Sequence, residues 1–332
     1  MEYRTLGRTG VKVSCLCLGC MMFGRRTSED ESIEIIDRAI HAGINFLDTA
    51  NVYSRGISEQ FVGKALKQDG KRDRVVLATK VHGRMDFEDP NASGNHRRHI
   101  IEQCHASLRR LQTDYIDLYQ IHRPDPEVPI DETLRALDDL VRAGKVRYIG
   151  TSTFAAWQVL ESLWVSKELA LNRFVCEQPP YNLLDRRIER ELIPMARTYG
   201  IGIIPWSPLA SGFLTGKYKR GQSPPPDSRL EMDDRRGLLS DRAFDVLERL
   251  EGIAREKQCA TNQLALAWCR QQPGITSPII GPRTVAQLED YLDSEDVTVA
   301  DEDRRLLDQI APPGRATVPY YESEFGPHRF RW

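Results

Sequence analysis

The sequence predicts an α/β fold in which eight strand–helix units close into a (β/α)₈ barrel, the TIM-barrel architecture. Short apolar runs alternate with amphipathic segments of helical period, and eight such units follow one another. The apolar runs are continuous rather than alternating, which is typical of parallel strands buried on both faces. A chain of 332 residues is long enough for one large α/β domain or two ordinary ones. We predict a single domain over residues 1–332, because no boundary interrupts the pattern.

The strands are predicted from the apolar runs, at 15–19, 45–49, 75–81, 115–122, 146–152, 174–178, 202–206 and 277–280. The first helix, over about 28–42, has Ser28 and Glu31 at the spacing of a capping box, and Gly43 ends it. The second helix is predicted from about Ser58 to Leu66. The next two are predicted from apolar stripes, which consist of Ile100, Ile101, Cys104, Leu108 and Leu111 and then of Leu134, Leu137 and Val141.

Three segments lie outside the repeat. Residues 3–14 (YRTLGRTGVKVS) predict a small hairpin that precedes the barrel and caps one end. Residues 207–240 form an insertion after the seventh strand, and a loop of this length predicts a functional lid or a disordered segment. The last 22 residues, from Ala311, have no period, but their aromatic content predicts a tail that packs onto the protein. The aromatic residues are Tyr320, Tyr321, Phe325, Phe330 and Trp332.

Composition and charge argue against several classes of protein. Hydrophobic content of 40% and charged content of 28% are typical of a globular protein. A net charge of −2 provides no global attraction to nucleic acid or to anionic membranes. No apolar run has the length of a membrane span, and the first residues, MEYRTLGRTG, lack the apolar core of a signal peptide. We therefore expect a cytoplasmic protein without a nucleic-acid or membrane partner.

Cysteine and histidine spacing does not predict a metal site. The odd number of cysteines, seven, does not indicate a disulfide framework. Cys15, Cys17 and Cys20 lie close together, but the first two alternate with leucines as strand residues do, and no second Cys/His pair follows at zinc spacing. A metal-dependent barrel hydrolase would require clustered histidine ligands such as H-x-H, and none of the seven histidines forms that pattern. We expect no metal.

Ionisable and polar residues stand where successive predicted strands end. The active site of such a barrel forms at the C-terminal ends of its strands. The second strand ends at Asp48 with Tyr53 just beyond it, the third ends at Lys80 and the fourth at His122. The fifth, sixth and seventh strands end at Ser152, Gln178 and Trp206. Any one of these alone suggests a satisfied surface group, but the full set predicts a functional site.

Four of these side chains suit the transfer of a proton to an oxygen atom. A buried Lys80 needs a counter-ion, and Asp48 is the natural one. A lysine cation near the Tyr53 hydroxyl favours the phenolate, which makes the phenol a stronger acid. His122 can hydrogen-bond the same polar group from the other side. The set predicts protonation of an oxygen on which negative charge develops, as when a hydride reaches a carbonyl carbon.

The sequence also contains a candidate site for a hydride-donating dinucleotide. No G-x-G-x-x-G motif follows a predicted strand, so the common dinucleotide-binding fold is not supported. In WSPLASGFLTGKY (206–218), Trp206 can stack on a nicotinamide ring, and the following loop with Lys217 can hold a pyrophosphate. In GPRTVAQLED (281–290), Arg283 lies at a predicted helix N-terminus, which favours a phosphate monoester.

Taken in order along the chain, these segments resemble the aldo-keto reductase family over essentially the whole sequence. The motifs that carry the resemblance are FLDTANVY (46–53), ATK (78–80), DLYQIHRPD (117–125), GTSTF (150–154), EQPPYN (177–182), WSPLASGFLTGKY (206–218) and PIIGPRTVAQLE (278–289). They are most similar to the branch that contains the bacterial general reductases and the voltage-gated potassium-channel β-subunits.

The resemblance implies NADP(H)-dependent reduction of aldehydes and ketones. Tyr53 would be the proton donor, Asp48 and Lys80 its tuning pair, and His122 the orienting residue. Arg283 would bind the 2′-phosphate and so favour NADPH. The positions that would contact the cofactor are Cys20, Met21, Asp48, Ser152, Thr153, Gln178, Trp206, Ser207, Pro208, Leu209, Ser211, Lys217, Arg229, Gly281, Arg283, Gln287 and Asp290.

Three residues depart from the family pattern. Cys20 stands where the family usually has Thr, Thr153 where it has Asn, and Tyr291 at a common Asn position. Each departure weakens one contact, by about 0.5–1.5 kcal/mol for a neutral hydrogen bond. None of them removes one of the four catalytic candidates.

A second interpretation is a regulatory subunit that binds NADP(H), senses its redox state and turns over little substrate, as the channel-associated relatives are thought to do. The complete set of four, and His122 in particular, favours the enzyme. Met21, Met22, Phe23 and His82 are candidates for the substrate pocket, with core or surface packing as the alternative for each. The identity of the carbonyl substrate is not readable from the sequence, and a homo-oligomer is left open.

Overall fold

Eight parallel strands form the predicted barrel. The computed structural model describes residues 1–232 and 236–318. A hairpin of β1 (Tyr3–Thr5) and β2 (Lys12–Ser14) comes first. The barrel strands are β3 (Cys17–Gly19), β4 (Phe46–Asp48), β5 (Val76–Val81), β6 (Ile116–Ile121), β7 (Val146–Ser152), β8 (Phe174–Gln178), β9 (Gly202–Ile203) and β10 (Ile279–Ile280).

Helices follow the strands on the outside of the barrel. They are α1 (Glu29–His41), α2 (Ile57–Leu66), α3 (Arg97–Leu111), α4 (Ile130–Arg142), α5 (Ala156–Glu168), α6 (Leu192–Tyr199), α7 (Arg229–Met232), α8 (Asp241–Glu256), α9 (Thr261–Arg270), α10 (Val285–Leu292) and α11 (Asp301–Ile310). The predicted N-cap of α1 is present, because the Ser28 hydroxyl accepts a hydrogen bond from the Glu31 N–H at 3.3 Å.

The strand order around the sheet is β10-β3-β4-β5-β6-β7-β8-β9, with every pair parallel. The ring closes between β9 and the chain before β10. There Ile203 pairs with Ile275, and the Ile279 N–H donates to the Pro205 carbonyl at 2.8 Å. Regular pairing in β9 and β10 is shorter than predicted because Pro205 and Pro278 have no N–H to add to a ladder.

The hairpin caps the N-terminal end of the barrel, as predicted. Leu6 and Val13 are fully buried in a cluster with side chains from the barrel strands, namely Cys17, Phe46, Ala78, Leu118, Val175, Cys176 and Ile204. Gly7, in the hairpin turn, has a φ of 55°, and a Cβ at this position would lie 2.3 Å from the Val175 carbonyl oxygen. Glycine is therefore required for the turn to approach β8 this closely. With this end covered, the C-terminal strand ends form the accessible end.

The insertion at 207–240 contains short helical turns. They are a 3₁₀ turn at Ala210–Thr215, helix α7, and a 3₁₀ turn at Arg236–Leu239. Phe213 and Tyr218 are buried within the insertion and stack on each other, with ring centroids 5.9 Å apart. Phe213 also meets Phe244 of α8 edge to face, with ring centroids 5.3 Å apart, so the aromatic residues of the insertion pack it against the protein.

Two predictions about chain organisation stay predictions. The aromatic tail residues Tyr320, Tyr321, Phe325, Phe330 and Trp332 lie outside the described residues. The single-domain organisation stays a prediction.

Across the two described ranges, no helix is both long enough and apolar enough to cross a bilayer. Within the same ranges, no three His, Cys, Asp or Glu side chains are placed to share a metal ion, and all seven cysteines are unpaired.

Candidate active site

The ends of β4, β5 and β6 bring together the four predicted catalytic residues. Asp48 is the last residue of β4, and Lys80 lies one residue before the end of β5. His122 directly follows β6, where its backbone N–H donates to the Val81 carbonyl at 2.9 Å. Tyr53 opens a 3₁₀ turn after β4. Because these strands are parallel neighbours, their ends lie side by side.

Asp48 and Lys80 form a buried ion pair. Their side chains are 3% and 0% exposed, and the Lys80 ammonium donates to Oδ2 of Asp48 and also to the Thr49 carbonyl, the latter at 2.8 Å. Burial by itself would lower the pKa of Lys80, but the Asp48 carboxylate and then the Tyr53 hydroxyl more than offset burial, and the net pKa is raised. Lys80 is therefore a cation at neutral pH.

Two glutamines hold the other carboxylate oxygen of Asp48. Its Oδ1 accepts from the Gln120 amide at 3.0 Å and from the Gln178 amide at 2.9 Å, and Gln178 also donates to Oε1 of Gln120 at 3.2 Å. Sequence analysis did not identify Gln120. Its signal is a polar residue inside the apolar run of β6, since a fully buried amide requires hydrogen-bond partners. The network fixes the orientation of the carboxylate.

Tyr53 and His122 lie on the open side of the ion pair. The Tyr53 hydroxyl is 3.4 Å from Nζ of Lys80, and the Tyr53 and His122 rings meet edge to face with centroids 5.6 Å apart. Burial, followed by the charges of Lys80 and Arg123, holds the pKa of His122 well below its usual range. A phenol and a neutral imidazole thus adjoin a fixed cation. This arrangement can polarise and protonate a carbonyl oxygen.

One cavity of 360 Å³ extends from these side chains to the insertion after β9. Asp48, Tyr53 and His122 line it, and the fully buried Lys80 lies behind them. Most predicted cofactor residues also line the cavity, namely Met21, Asp48, Ser152, Gln178, Trp206, Ser207, Pro208, Leu209, Ser211, Lys217, Arg229, Gly281, Arg283 and Gln287. Residues that are distant in the chain therefore line one cavity.

Three predicted cofactor residues, Cys20, Thr153 and Asp290, are not among the lining residues. Cys20 is fully buried. Oγ1 of Thr153 accepts a hydrogen bond from the Arg123 guanidinium at 3.0 Å. The Asp290 carboxylate accepts one from the Gln263 amide at 2.9 Å. Their polar groups therefore contact protein, an outcome that depends on partners from other strands and helices and is not visible in local sequence.

Some lining residues were not among the predicted cofactor contacts. They are Gly19, Met22, Arg26, Arg123, Gly212, Thr215, Ile279, Ile280 and Tyr291. Met22 was a candidate for the substrate pocket, as was Met21, whereas Phe23 and His82 do not line the cavity. Nδ1 of His82 instead lies 3.0 Å from Oδ1 of Asn95. A signal for Arg123 is its position directly after the predicted strand at 115–122, but nothing in the local sequence separates Arg26 from its neighbour Arg25.

The loop after β9 has a backbone suited to binding anions. Ser207, Ala210, Ser211 and Gly212 have φ values of 56°, 49°, 56° and 85°. Turns that contain such left-handed residues form concavities lined by N–H groups. Trp206 precedes the loop and lines the same cavity. An aromatic ring followed by a concavity of this kind fits a nicotinamide ring joined to a pyrophosphate.

Three cationic side chains form a cluster along the cavity. Arg26, Lys217 and Arg283 all line it. Burial, followed by the charges of Arg283 and Arg26, lowers the pKa of Lys217. In the part of the chain that the structure describes, no carboxylate lies within 4.0 Å of these three cationic groups. A bound phosphate would relieve the repulsion among these three cations, so the cluster fits the phosphates of a dinucleotide.

Comparisons with known proteins agree with this geometry. The family model described as "Aldo/keto reductase family" matches residues 15–312. The "Uncharacterized oxidoreductase YrpG" of Bacillus subtilis (strain 168) is 40% identical, covering 97% of this chain and 99% of that protein. A "Probable voltage-gated potassium channel subunit beta" of Oryza sativa subsp. japonica is 38% identical, covering 90% of this chain and 92% of that protein. The "Versiconal hemiacetal acetate reductase" of Aspergillus parasiticus is 37% identical, covering 94% and 98%. The chain belongs to the aldo/keto reductase family of oxidoreductases.

Proposed function

We propose that this protein reduces aldehydes and ketones to alcohols with NADPH. The observation that carries the proposal is the convergence of Tyr53, Lys80, Asp48 and His122 at one end of a cavity that Trp206 also lines. Membership in a family that generally uses NAD(P)H supports the reaction class. When bound, NADPH supplies a hydride to the carbonyl carbon.

Tyr53 is the proposed proton donor. Its hydroxyl adjoins the Lys80 ammonium at 3.4 Å, and this cation stabilises the negative charge that the phenol oxygen acquires as it releases its proton. That charge develops only during the transfer to the substrate oxygen. The contact therefore stabilises the transition state more than the ground state.

Asp48 acts through Lys80 in this proposal. Its carboxylate neutralises the buried ammonium, and the amides of Gln120 and Gln178 hold the carboxylate in place. Without this acceptor the ammonium would lose both its counter-ion and its position. Asp48 is thus assigned to positioning the cation.

His122 is the proposed orienting residue. Burial and the Lys80 charge keep its imidazole neutral, so that one ring nitrogen carries a proton it can donate. Its ring packs edge to face on Tyr53, and both residues line the cavity. An N–H from His122 can therefore bind the same substrate oxygen that Tyr53 protonates.

The contacts with the cofactor are proposed along the cavity. We assign Trp206 to the nicotinamide ring, and Ser152 and Gln178 to its carboxamide. The pyrophosphate is assigned to Ser207, Leu209, Ser211 and Lys217, and the adenosine end to Gly281, Arg283 and Gln287, with Arg229 as a further phosphate contact. The left-handed backbone of the loop and the cations around Lys217 support these assignments.

The test follows NADPH absorbance with a reactive aromatic aldehyde, for wild type and Tyr53→Phe. Loss of a general acid lowers the rate by about 10²–10⁴-fold. NADPH binding, measured by quenching of tryptophan fluorescence, should stay within about twofold, because the hydroxyl acts in the transition state. Tyr199→Phe is the matched control, since Tyr199 is 43% exposed at the end of α6. Full activity in Tyr53→Phe would refute the assignment of the acid.

A redox-sensing regulatory subunit is the second candidate. It is favoured by the 38% identity to proteins described as probable voltage-gated potassium channel β-subunits of Oryza sativa and Arabidopsis thaliana. Such a protein would bind NADP(H) but turn over little substrate. The same assay separates the two functions. Binding of NADPH without oxidation across a broad panel of aldehydes and ketones supports the regulatory subunit, and sustained oxidation supports the enzyme.

A further inference from the structure

We propose that Arg26 is a second ligand for the 2′-phosphate of the cofactor and acts with Arg283 to select NADPH over NADH. The inference rests on the proposed function and adds a specificity-determining residue to it. The two arginines come from opposite ends of the chain, one from the loop between β3 and α1 and the other from the turn after β10.

Neighbouring strands bring these two loops together. β10 and β3 are adjacent in the sheet, so the chain segments that follow them emerge side by side. The Thr27 hydroxyl donates to the Arg283 carbonyl at 3.1 Å and ties the two segments directly. Arg26 and Arg283 both line the cavity. Their approach is therefore a property of the barrel end.

The two guanidinium groups share one acceptor. Nη2 of Arg26 donates to the Asp227 carbonyl at 2.5 Å, and Nη1 of Arg283 contacts the same oxygen at 3.5 Å. Because both groups reach one atom, a phosphate can span them, with each charge-assisted hydrogen bond about 2.7–2.9 Å long. A neutral carbonyl attracts two guanidinium cations far less strongly than a phosphate dianion does. The observed arrangement is a pair of cationic donors that share one neutral acceptor.

The electrostatics of the surroundings favour an anion. Lys217 lies close enough for the charges of Arg283 and Arg26 to lower its pKa, in addition to the effect of burial. Within the described ranges, the side-chain hydrogen bonds of Arg26 and Arg283 go to the carbonyl of Asp227 and not to a carboxylate. A phosphate monoester carries about −1.5 to −2 charge at neutral pH, which matches two arginines better than one.

The assignment to the 2′-phosphate, rather than to the pyrophosphate, follows from position. Arg26 shares its acceptor with Arg283, which begins the turn into α10, and Gln287 on that helix accepts from the Arg283 N–H at 2.9 Å. Gln287 and Tyr291 of α10 line the same cavity as the two arginines. The left-handed loop beginning at Ser207 already supplies a concavity for the pyrophosphate.

The test is the affinity of wild type, Arg26→Gln and Arg25→Gln for NADPH and NADH, measured by calorimetry. Adenosine 2′,5′-bisphosphate and adenosine 5′-monophosphate serve as probes that need no nicotinamide site. We expect Arg26→Gln to weaken NADPH and the bisphosphate by about tenfold or more, and NADH and the monophosphate by less than about twofold. Arg25→Gln is the matched control, because Arg25 is an exposed neighbour that does not line the cavity. It should leave all four affinities unchanged.

The double variant Arg26→Gln/Arg283→Gln gives a second measurement. Two ligands of one phosphate should lose less together than the sum of their single effects. Equal loss of NADPH and NADH in Arg26→Gln would overturn the inference alone, since it would place Arg26 on a group that both cofactors have. An Arg26→Gln variant that binds NADPH and NADH as wild type does would overturn it as well. A wild type that binds neither dinucleotide would overturn the proposed function and this inference together.

Discussion

The Nζ atom of Lys80 lies 3.4 Å from the hydroxyl oxygen of Tyr53, although the two residues are 27 positions apart in the chain. The Asp48 carboxylate holds the ammonium at this place. The same buried contacts therefore support both the stability of the barrel end and the proposed acidity of the phenol. Substitutions in the pair should change two measurable properties at once.

Removing either member of the Asp48–Lys80 pair should destabilise the fold strongly. Lys80→Met leaves a buried carboxylate without its cation, and Asp48→Asn leaves a buried ammonium without its anion. We expect each to reduce the free energy of unfolding by about 3–5 kcal/mol, measured by urea titration. The double variant should lose less than the sum of the two, because the remaining buried groups are then both neutral.

An exposed ion pair provides the control for this cycle. Arg98 and Glu102 on α3 form a pair in which the side chains are 55% and 53% exposed. Arg98→Ala should leave the free energy of unfolding close to that of wild type, because solvent screens an exposed pair. Strict additivity in the Asp48–Lys80 cycle would contradict the coupling inferred from the structure.

Arg283→Ala should weaken NADPH much more than NADH. A charge-assisted hydrogen bond contributes about 1.5–3 kcal/mol, so the dissociation constant of NADPH should rise by about tenfold or more. NADH lacks the 2′-phosphate and should change little. Fluorescence titration gives both constants, with Arg305→Ala, an exposed arginine on α11, as the control. Equal loss for the two cofactors would contradict the proposed 2′-phosphate contact.

Stability should fall on mild acidification because of buried histidine. Burial, followed by the charge of His96, lowers the pKa of His99 to about 4, against an ordinary value of 6.5. Between these values the unfolded chain binds a proton at this residue that the folded protein does not bind, so stability rises with pH across the window and is lost as pH falls. The stabilisation from His99 is therefore present above its ordinary pKa and is lost as the pH falls towards 4. Burial also lowers the pKa of His122, which acts in the same direction.

The measurement is the free energy of unfolding in urea between pH 7 and pH 4. His99→Leu should flatten the decline, because one of the responsible groups is gone. His105→Leu, at an exposed position on the same helix, is the control and should retain the wild-type slope. Identical slopes for His99→Leu and wild type would show that His99 does not contribute to the pH dependence.

Gly63 allows α2 and α3 to pack closely. A Cβ at Gly63 would lie 2.6 Å from the Arg110 carbonyl oxygen and 2.7 Å from that of Leu111. Backbone atoms cannot yield as a flexible side chain does, so Gly63→Ala should lower the free energy of unfolding by about 1–3 kcal/mol. Thermal or urea unfolding measures the effect.

Gly252 on α8 supplies the opposite case. Apart from its chain neighbours and the nearby backbone of α8 itself, no atom of the described residues lies within 4 Å of a Cβ built at this position. Gly252→Ala should therefore stabilise the protein by about 0.5–1 kcal/mol, since alanine restricts the unfolded chain and favours the helix. A destabilised Gly252→Ala together with a neutral Gly63→Ala would reverse both expectations.

The fold could be predicted in detail because its signals are local. The strand runs and the cap at Ser28 depend on residues close together in the chain, and all eight strands and the capping hairpin were confirmed. The short pairing of β9 and β10 was foreseeable too, from prolines at positions 205 and 278. The candidate catalytic residues could be located at strand ends by a rule of parallel barrels, which needs no coordinates.

Contacts between distant segments could not be predicted in the same way. Gln120 and Gln178 reach one oxygen of Asp48 across 72 and 130 residues, and only the closed barrel brings them together. Cys20 and Thr153 stand beside cofactor positions in the chain, yet burial of the first and the Arg123 contact of the second direct their polar groups to protein.

What the sequence alone determined about this protein is its alternation of strands and helices and the kinds of side chain at each strand end. Both follow from neighbouring residues and from the period of the backbone. The tertiary structure decided which of those side chains share a partner, as when Arg26 and Arg283 meet at the Asp227 carbonyl. The reason is physical: hydrogen bonds and ion pairs act over a few ångströms in space, whatever the distance along the chain.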